Sequence, residues 1–440
     1  MPPTLCDTWS YLKIMSTLVG WYCATLLGFV STQRAVYRAC RFISSENVLF
    51  VKCIQAMSSH PLIPKTLHPI LQEYTNDAPV HSHEIDHDLL RYIGQKYNVV
   101  LASTPVHTGM VAIVFYGTMD EKPVVVKLAK RRIGNRIVEG CAHLRLLWRV
   151  MVWLSRWSAN VASACDALAT VIESTDYLRM QCDLTHEQRA MRSVRDHLRP
   201  LQALSVGTSS ICNHRNRISV PYVCSDPDDP RAPDFFIMER VHGVPAFQLS
   251  DRRLKRRCVS LVQYFILTQA LLLDYYHTDM HSGNVLFDYD EETDSLTMGV
   301  YDYGMHVRVG DDERAFMSNI LELLMGNEDA NKETFDAVRF CRLMFEMDHV
   351  PMHGTTHHLR ELCAHCGKDL LTGAFNAETV HRFIAEVSLI VGFKPKLRER
   401  NMQLLLGTSM VNSLTYELSD NDMSVLAESG VRVYEDLVLS

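Results

Sequence analysis

The sequence lacks several features that would settle its class at once. It has no internal repeat and no low-complexity tract, which excludes solenoid arrays and compositionally biased tails. No stripe of lysine and arginine interleaves with aromatics. With a formal charge of -7 and a pI near 6.3, nothing steers the chain toward nucleic acid. Its 13 cysteines follow no regular spacing. An odd number in a long chain argues against a disulfide framework and for a reducing compartment around the main domain. No G-x-G-x-x-G is present, no tryptophan follows Trp157, and no acid stands between Asp7 and Glu46.

What remains is an ordinary globular composition. Apolar residues make up 47% and charged residues 22% of the 440 positions, enough for two cores. Near the N-terminus, Ile14 to Val30 carries no charge, and Arg34, Arg38 and Arg41 follow it at helical spacing. Three readings compete there: a short membrane anchor, a basic organelle-targeting sequence, or a buried core helix. From Asn47 to Glu73 apolar residues recur at helical period, broken by Pro61 and Pro64.

Further on, VAIVFYGTM (111–119) and PVVVKLA (123–129) read as a β-hairpin around Asp120, Glu121 and Lys122. A helical stretch follows from Arg132 to about Val171, and a second helix carries THEQRAMRSVRDHL. ISVPYVC (218–224) and FFIMERV (235–241) read as two more strands around an acidic loop with Pro227, Pro230 and Pro233. Beyond Gly243 the character is helical, with a strongly apolar helix from Cys258 to Tyr275.

The chemistry lies just after that helix. His277-Thr278-Asp279-Met280-His281-Ser282-Gly283-Asn284 forms H-x-D-x4-N, and Asp302-Tyr303-Gly304 follows at the end of the next strand. Phosphoryl transfer asks little covalent chemistry of a protein. It needs an oriented nucleophile and cations on the phosphates. Asp279 is placed to accept the nucleophile's proton, and Asn284 and Asp302 to hold Mg2+. Upstream, Lys127 ends Val124-Val125-Val126-Lys127, like the V-A-I-K strand whose lysine pairs with α- and β-phosphates. Ile237 to Val241, with Glu239 and Val241, fits the hinge strand that hydrogen-bonds adenine. The departures from an ordinary protein kinase are Thr278 in place of the H-R-D arginine, the missing A-P-E, and the missing late tryptophan.

These residues resemble the UbiB, or aarF-domain (ADCK-type), family of atypical kinases. Lys52-Cys53-Ile54-Gln55 resembles the family's K-x-G-Q, Cys182 to Glu187 its glutamate-bearing helix motif, Met238 to Gly243 its M-E-x-x-x-G, and His277 to Asn284 its H-x-D-P-H-P-G-N. The likeness runs in order from about Asn47 to Met305. Ile54 replaces the family glycine, Met280 and Ser282 replace two prolines, and Thr108-Gly109-Met110 stands where the family has an alanine-rich nucleotide loop.

The resemblance implies a bilobal α+β protein-kinase-like fold. Its parts would be a hydrophobic N-terminal segment (1–45), a helical extension (46–105), a β-containing N-lobe with inserted helices (106–243), and a mostly helical C-lobe (244–440). It implies ATP and Mg2+, membrane association, and a role in lipid or isoprenoid-quinone homeostasis. The location would then be mitochondrial if the chain is cellular, otherwise the cytoplasmic side of a membrane. Lys52 and Gln55 would cover the active site, and Thr108, Gly109, Met110, Lys127, Glu239 and Val241 would line the nucleotide. Glu187 rather than Glu139 would hold Lys127.

Two other readings of the same residues stand beside an atypical kinase or ATPase. One is a small-molecule kinase of aminoglycoside or choline type, from which the Lys52 motif discriminates. The other is a pseudokinase scaffold, against which Lys127, Asp279, Asn284 and Asp302 argue. The phosphate acceptor — lipid, small molecule or protein — is not encoded in these motifs. Finally, His353, His357, His358, Cys363 and Cys366 offer a zinc pattern without its second ligand pair, and helical spacing equally puts both thiols on one buried face.

Overall fold

The computed structural model describes residues 13–50 (without 15, 18, 22, 26 and 48), 82–154, 180–205, 211–325 (without 214), 337–346, 356–371 and 377–439 (without 394), with the single positions 66, 156 and 172. Lys52 and Gln55 lie outside the described residues. The chain divides into two compact units. The first holds residues up to His186 plus Cys224–Glu239, and the second holds Glu187–Val223 and Arg240–Ser440.

In the first unit the apolar run of Ile14 to Val30 does not form one straight helix. The described residues between 13 and 25 are helical, and the helix stops at Gly28, where φ is +74°. Phe29 N–H donates to Ala24 O (2.9 Å) and Gly28 N–H to Thr25 O (3.1 Å), the paired bonds of a Schellman stop. Ser31 then caps α1 (Thr32–Glu46) by accepting from the Arg34 N–H. Among the described residues no helix is long and apolar enough to cross a membrane.

After α2 (His87–Tyr97), an antiparallel sheet is built from β1 (Val99–Leu101), β2 (His107–Thr108), β3 (Ala112–Met119), β4 (Lys122–Ala129) and, far along the chain, β6 (Phe235–Glu239). The order is β1-β3-β4-β6, with β2 also on β3. The expected hairpin is present but tighter than the sequence indicates. Only Asp120 and Glu121 form its turn, both with positive φ (48° and 63°), and Lys122 already pairs with Met119. The apolar faces of β3, β4 and β6 close on α2, with Phe115, Val126, Phe235 and Ile237 buried around Leu89 and Ile93. The helix α3 (Ile133–Leu154) follows β4.

The helix α4 (Leu184–Ser205) leads into the second unit. There β5 (Asn216–Ser219) lies parallel to β9 (Ser295–Val300), which pairs antiparallel with β8 (Val285–Asp290). Of ISVPYVC (218–224), only Ile218 and Ser219 lie in β5, and at its other end the Cys224 N–H donates to Ile237 O of β6 (2.7 Å). The helix read from Cys258 to Tyr275 is α5 (Arg252–Leu271), capped by Asp251, and Tyr275 already begins β7 (Tyr275–His277). A short ladder joins β7 to β10 (His306–Arg308). The rest is helical: α6 (Asp311–Met325), α7 (Ala337–Met344), α8 (Thr356–Leu371), α9 (Ala377–Val391), α10 (Glu399–Leu418) and α11 (Met423–Leu439). Tyr276, Phe316, Phe345 and Leu404 anchor their core, and Cys341, Cys363 and Cys366 are part of it. Among the described residues no three His, Cys, Asp or Glu converge as a metal cage.

Candidate active site

In the second unit the H-x-D-x4-N loop runs from β7 to β8 and is fixed from beneath. Gln269 on α5, fully buried, accepts the His277 backbone N–H through Oε1 (2.7 Å). The His277 ring is also fully buried, against Tyr303 at 4.9 Å between centroids. Its Nδ1 accepts the Asp279 N–H (3.1 Å), which puts the ring proton on Nε2. Burial pushes this imidazole down to about 4, against the opposing pull of the Asp302 carboxylate, so it is neutral near pH 7. His277 is a buried post for the loop.

Above it, the loop closes on itself. Asn284 Nδ2 donates to the Asp279 carbonyl (2.9 Å), and Asn284 N–H to His281 O (3.0 Å). With its amide nitrogen committed, Asn284 presents its oxygen as the atom able to ligate a cation. His281 folds back so that Nδ1 accepts the Gly283 N–H (2.9 Å), and its Nε2 lies 3.8 Å from Asp279 Oδ2. A Cβ on Gly283 would meet the His281 ring at 2.7 Å. With His281 folded back in this way, position 283 has no room for a side chain. Tyr301 Oη donates to Gly283 O and ties the loop to the segment bearing Asp302.

Asp302 lies just past β9, after Tyr301. Its Oδ1 accepts the Gly304 N–H (2.9 Å), which orients the carboxylate through a tight turn, while Tyr303 is wholly buried. Asn284 and Asp302 supply hard oxygen donors of the kind Mg2+ takes. Such a site uses one or two protein ligands and leaves the rest to phosphates and water, so it needs no protein cage.

The M-E-x-x-x-G stretch meets the same sheet. Val241 packs on β9 where a Cβ on Gly299 would be 2.3 Å from its Cγ1. Gly243 has φ +121°, and a Cβ there would lie 2.6 Å from the Phe287 carbonyl. Val244 and Phe287 exchange backbone hydrogen bonds (2.9 and 2.8 Å). The motif's glycine is thus the point where the chain seats on β8, the strand that leaves the H-x-D-x4-N loop.

In the first unit Lys127 is a half-buried residue of β4, opposite Val114 on β3 and Phe236 on β6. Thr108 ends β2 and is buried, and Gly109 N–H donates to Ala112 O (2.9 Å), so Thr108-Gly109-Met110 is the turn between β2 and β3. Glu239 closes β6, exposed and opposite Val124. Glu187, 4% exposed, lies in the first turn of α4, whereas Glu139 is exposed on α3.

Sequence reasoning missed three supports. Gln269 looks like any polar residue in an apolar helix. In the first unit, Glu84 binds Lys130 (3.2 Å) and Arg136 in a buried triad just past β4. Burial raises the Glu84 carboxyl, but the two cations outweigh it and hold its pKa low. Asn47 Nδ2 donates to the Arg136 carbonyl (2.6 Å), so residues on both sides of the K-x-x-Q segment attach to Arg136. No spacing rule connects positions so far apart.

Fold and loop together define an α+β, bilobal protein-kinase-like chain of atypical type. It belongs to the ABC1 atypical kinase-like domain family, whose model matches residues 80–334, more than half of the chain. Among curated proteins it is similar to the probable protein kinase UbiB of Photorhabdus laumondii, 29% identical over 87 residues, or 19% of this chain and 16% of that protein. Among solved structures it is similar to the Rv3197–erythromycin complex of Mycobacterium tuberculosis, at TM-score 0.41 and 13% identity over 86% of this chain and 87% of that one. The Rio2 kinase–ADP/Mg2+–phosphoaspartate complex of Chaetomium thermophilum matches at TM-score 0.28 and 12% identity, over 92% and 99%.

Proposed function

We propose that the chain is an ATP- and Mg2+-dependent phosphotransferase, an atypical kinase or ATPase of UbiB type. The observation that carries this reading is the closed loop in which the Asp279 carbonyl holds the Asn284 amide and leaves its oxygen for metal. A scaffold that binds no nucleotide has no use for that orientation. In this reading Asp302 and Asn284 hold Mg2+, Asp279 orients the nucleophile and takes its proton, and Lys127 neutralises α- and β-phosphate charge. Glu187 supports Lys127, and Glu239, Val241 and the Thr108-Gly109-Met110 turn belong to nucleotide binding. The metal supplies charge neutralisation on the transferring phosphoryl group.

Two substitutions test it. ATP with Mg2+ should raise the melting temperature of the unmodified protein, and Asp302→Asn should abolish that shift. Asp279→Asn should keep the shift and lose turnover by roughly two to four orders of magnitude. An undiminished shift in Asp302→Asn, or ordinary turnover in Asp279→Asn, would overturn the assignment.

The reading extends to a membrane, through the helical turn near the N-terminus. Leu27 and Phe29, 69% and 79% exposed, project where the Schellman stop ends the first helix. Arg34, Arg38 and Arg41 are exposed on the helix that follows, and the Arg38 guanidinium sits 5.0 Å over the Trp21 ring. Exposed apolar residues beside cations, in a stretch with no acid between Asp7 and Glu46, suit the interface of an anionic bilayer, in which the turn lies without spanning. Phospholipid vesicles containing phosphatidylserine should co-sediment the protein, whereas phosphatidylcholine vesicles should do so weakly. Replacing Leu27 and Phe29 by Asp should release it. Equal sedimentation of that variant would remove the turn from the membrane assignment. Among lipid, small-molecule and protein acceptors, a hydroxyl of a lipid or of a lipid-borne phenol is the one proposed, and turnover with and without vesicles carrying such a hydroxyl tests it.

A further inference from the structure

One close approach in the second unit concerns the catalytic aspartate and has no counterpart in the motifs. The helix α10 crosses β7 at Gly407. A Cβ built on Gly407 would lie 2.7 Å from Thr278 Cα, 3.1 Å from Thr278 Cβ and 3.2 Å from Tyr276 Cε1. The first of these atoms is main chain and cannot swing aside. The next helix residue, Thr408, is 7% exposed and shares a hydrogen bond with Tyr276 Oη at 3.1 Å. Tyr276 is fully buried. Thr278, 6% exposed, also donates its N–H to the Met305 carbonyl (3.1 Å), just past Asp-Tyr-Gly. The residue immediately before Asp279 is therefore held by α10 on one side and by the exit of the metal-binding turn on the other.

Thr278 occupies the place of the H-R-D arginine. In ordinary kinases active geometry is controlled by phosphorylation of the activation loop, through new arginine–phosphate pairs. A threonine buried under a helix offers no such cation. We infer that α10, through Gly407 and Thr408, is the positioning element that sets Asp279 constitutively, and that activity here needs no phosphorylated activation segment. The inference rests on the phosphotransferase reading for its consequence but on packing for its geometry.

Gly407→Ala is the direct test, with Gly430→Ala on α11 as control, since a Cβ there meets only Gln263 Nε2 at 4.0 Å. Positioning predicts that Gly407→Ala lowers kcat by up to about 10²-fold, the cost of a displacement near 1 Å. The KM for ATP should stay within about twofold. Amide exchange over residues 276–284 should quicken, while Gly430→Ala changes neither. If Gly407→Ala does not fold, Tyr276→Phe removes the hydroxyl contact with Thr408 at nearly constant volume, and Thr408→Val removes it together with the bond from Thr408 Oγ1 to Leu404 O (2.9 Å) within α10. Each should lower kcat and quicken exchange over 276–284, and the double variant should be no worse than Thr408→Val alone. Autophosphorylated and phosphatase-treated protein should turn over at the same rate.

Wild-type kcat and unchanged exchange in folded Gly407→Ala, or in both hydroxyl variants, would overturn the proposal. So would a strict need for phosphorylation. Loss of Mg·ATP stabilisation in step with kcat would do the same, since it marks general loosening. An unmodified chain without any turnover would sink the phosphotransferase reading instead, and exchange over 276–284 would then decide the strut alone.

Discussion

The two glutamates proposed as supports for Lys127 differ in burial. Spacing alone favours Glu139, on the first helix after the hairpin, and the structure leaves it exposed on α3. Glu187 is 4% exposed in the first turn of α4, where the helix dipole also favours an acid. A carboxylate buried to that degree needs a compensating partner or it would not stay charged. Glu187→Gln is accordingly expected to lower turnover by roughly tenfold or more, and Glu139→Gln to leave it within experimental error. Steady-state kinetics of the two variants checks this. The opposite ranking would return the ordinary kinase arrangement. At this scale the motif residues were legible because their types are chemically forced. Their supports were not. Gln269, Glu84 and Arg136 act through tertiary contacts that no local pattern marks.

At the scale of elements, strands were easier to see than their partners. Alternation and β-branched residues exposed β3 and β4, yet the two-residue turn requires positive φ at both positions, which Asp120 tolerates and Glu121 adopts reluctantly. Glu121 at φ +63° carries the left-handed penalty of roughly 1–2 kcal/mol, part of which a glycine would return through its own unfolded entropy. Glu121→Gly should therefore stabilise the first unit by about 0.5–1 kcal/mol, read as a higher urea midpoint at unchanged slope. A lower midpoint would mean that the strain is compensated by contacts of the glutamate side chain. The segment around Ile218 shows the converse. The strand read over 218–224 is Asn216–Ser219 in the structure, and nothing in its residues says that it runs parallel to β9. Pairing between segments so distant is set by the helices that intervene. The helix α5 was found by its apolar face and began earlier than that face, at the Asp251 cap, because Arg252 to Arg257 is too charged to register as apolar period.

For the molecule as a whole, the two units carry different buried titrating groups, and acid should separate them. In the second unit His277 is pushed by burial from its ordinary 6.5 to about 4. The unfolded chain therefore binds a proton between those values that the folded unit refuses. Stability falls as pH drops through that window, by on the order of 3 kcal/mol when it is fully crossed. In the first unit Asp229 is buried in the acidic loop. Burial raises its carboxyl, but hydrogen bonds from Tyr97 (2.6 Å), the Arg231 N–H (2.8 Å) and Tyr92 (3.0 Å), with Lys96 at 2.9 Å, outweigh it and leave the group at about 2. A depressed carboxylate contributes above its ordinary 3.8 and loses that contribution only as pH falls toward 2. Between pH 7 and 5, then, the second unit weakens through His277 while the Asp229 cluster of the first is untouched. All five tryptophans lie at or before Trp157, so indole emission follows the first unit alone. The buried thiols Cys258 and Cys363 report the second. In urea at pH 5, thiol labelling should begin at lower denaturant than at pH 7, with the tryptophan transition nearly unmoved. A His277→Asn variant should lose most of the pH dependence of the labelling. If both probes shift together and by the same amount, the units unfold as one cooperative body and His277 governs the stability of both.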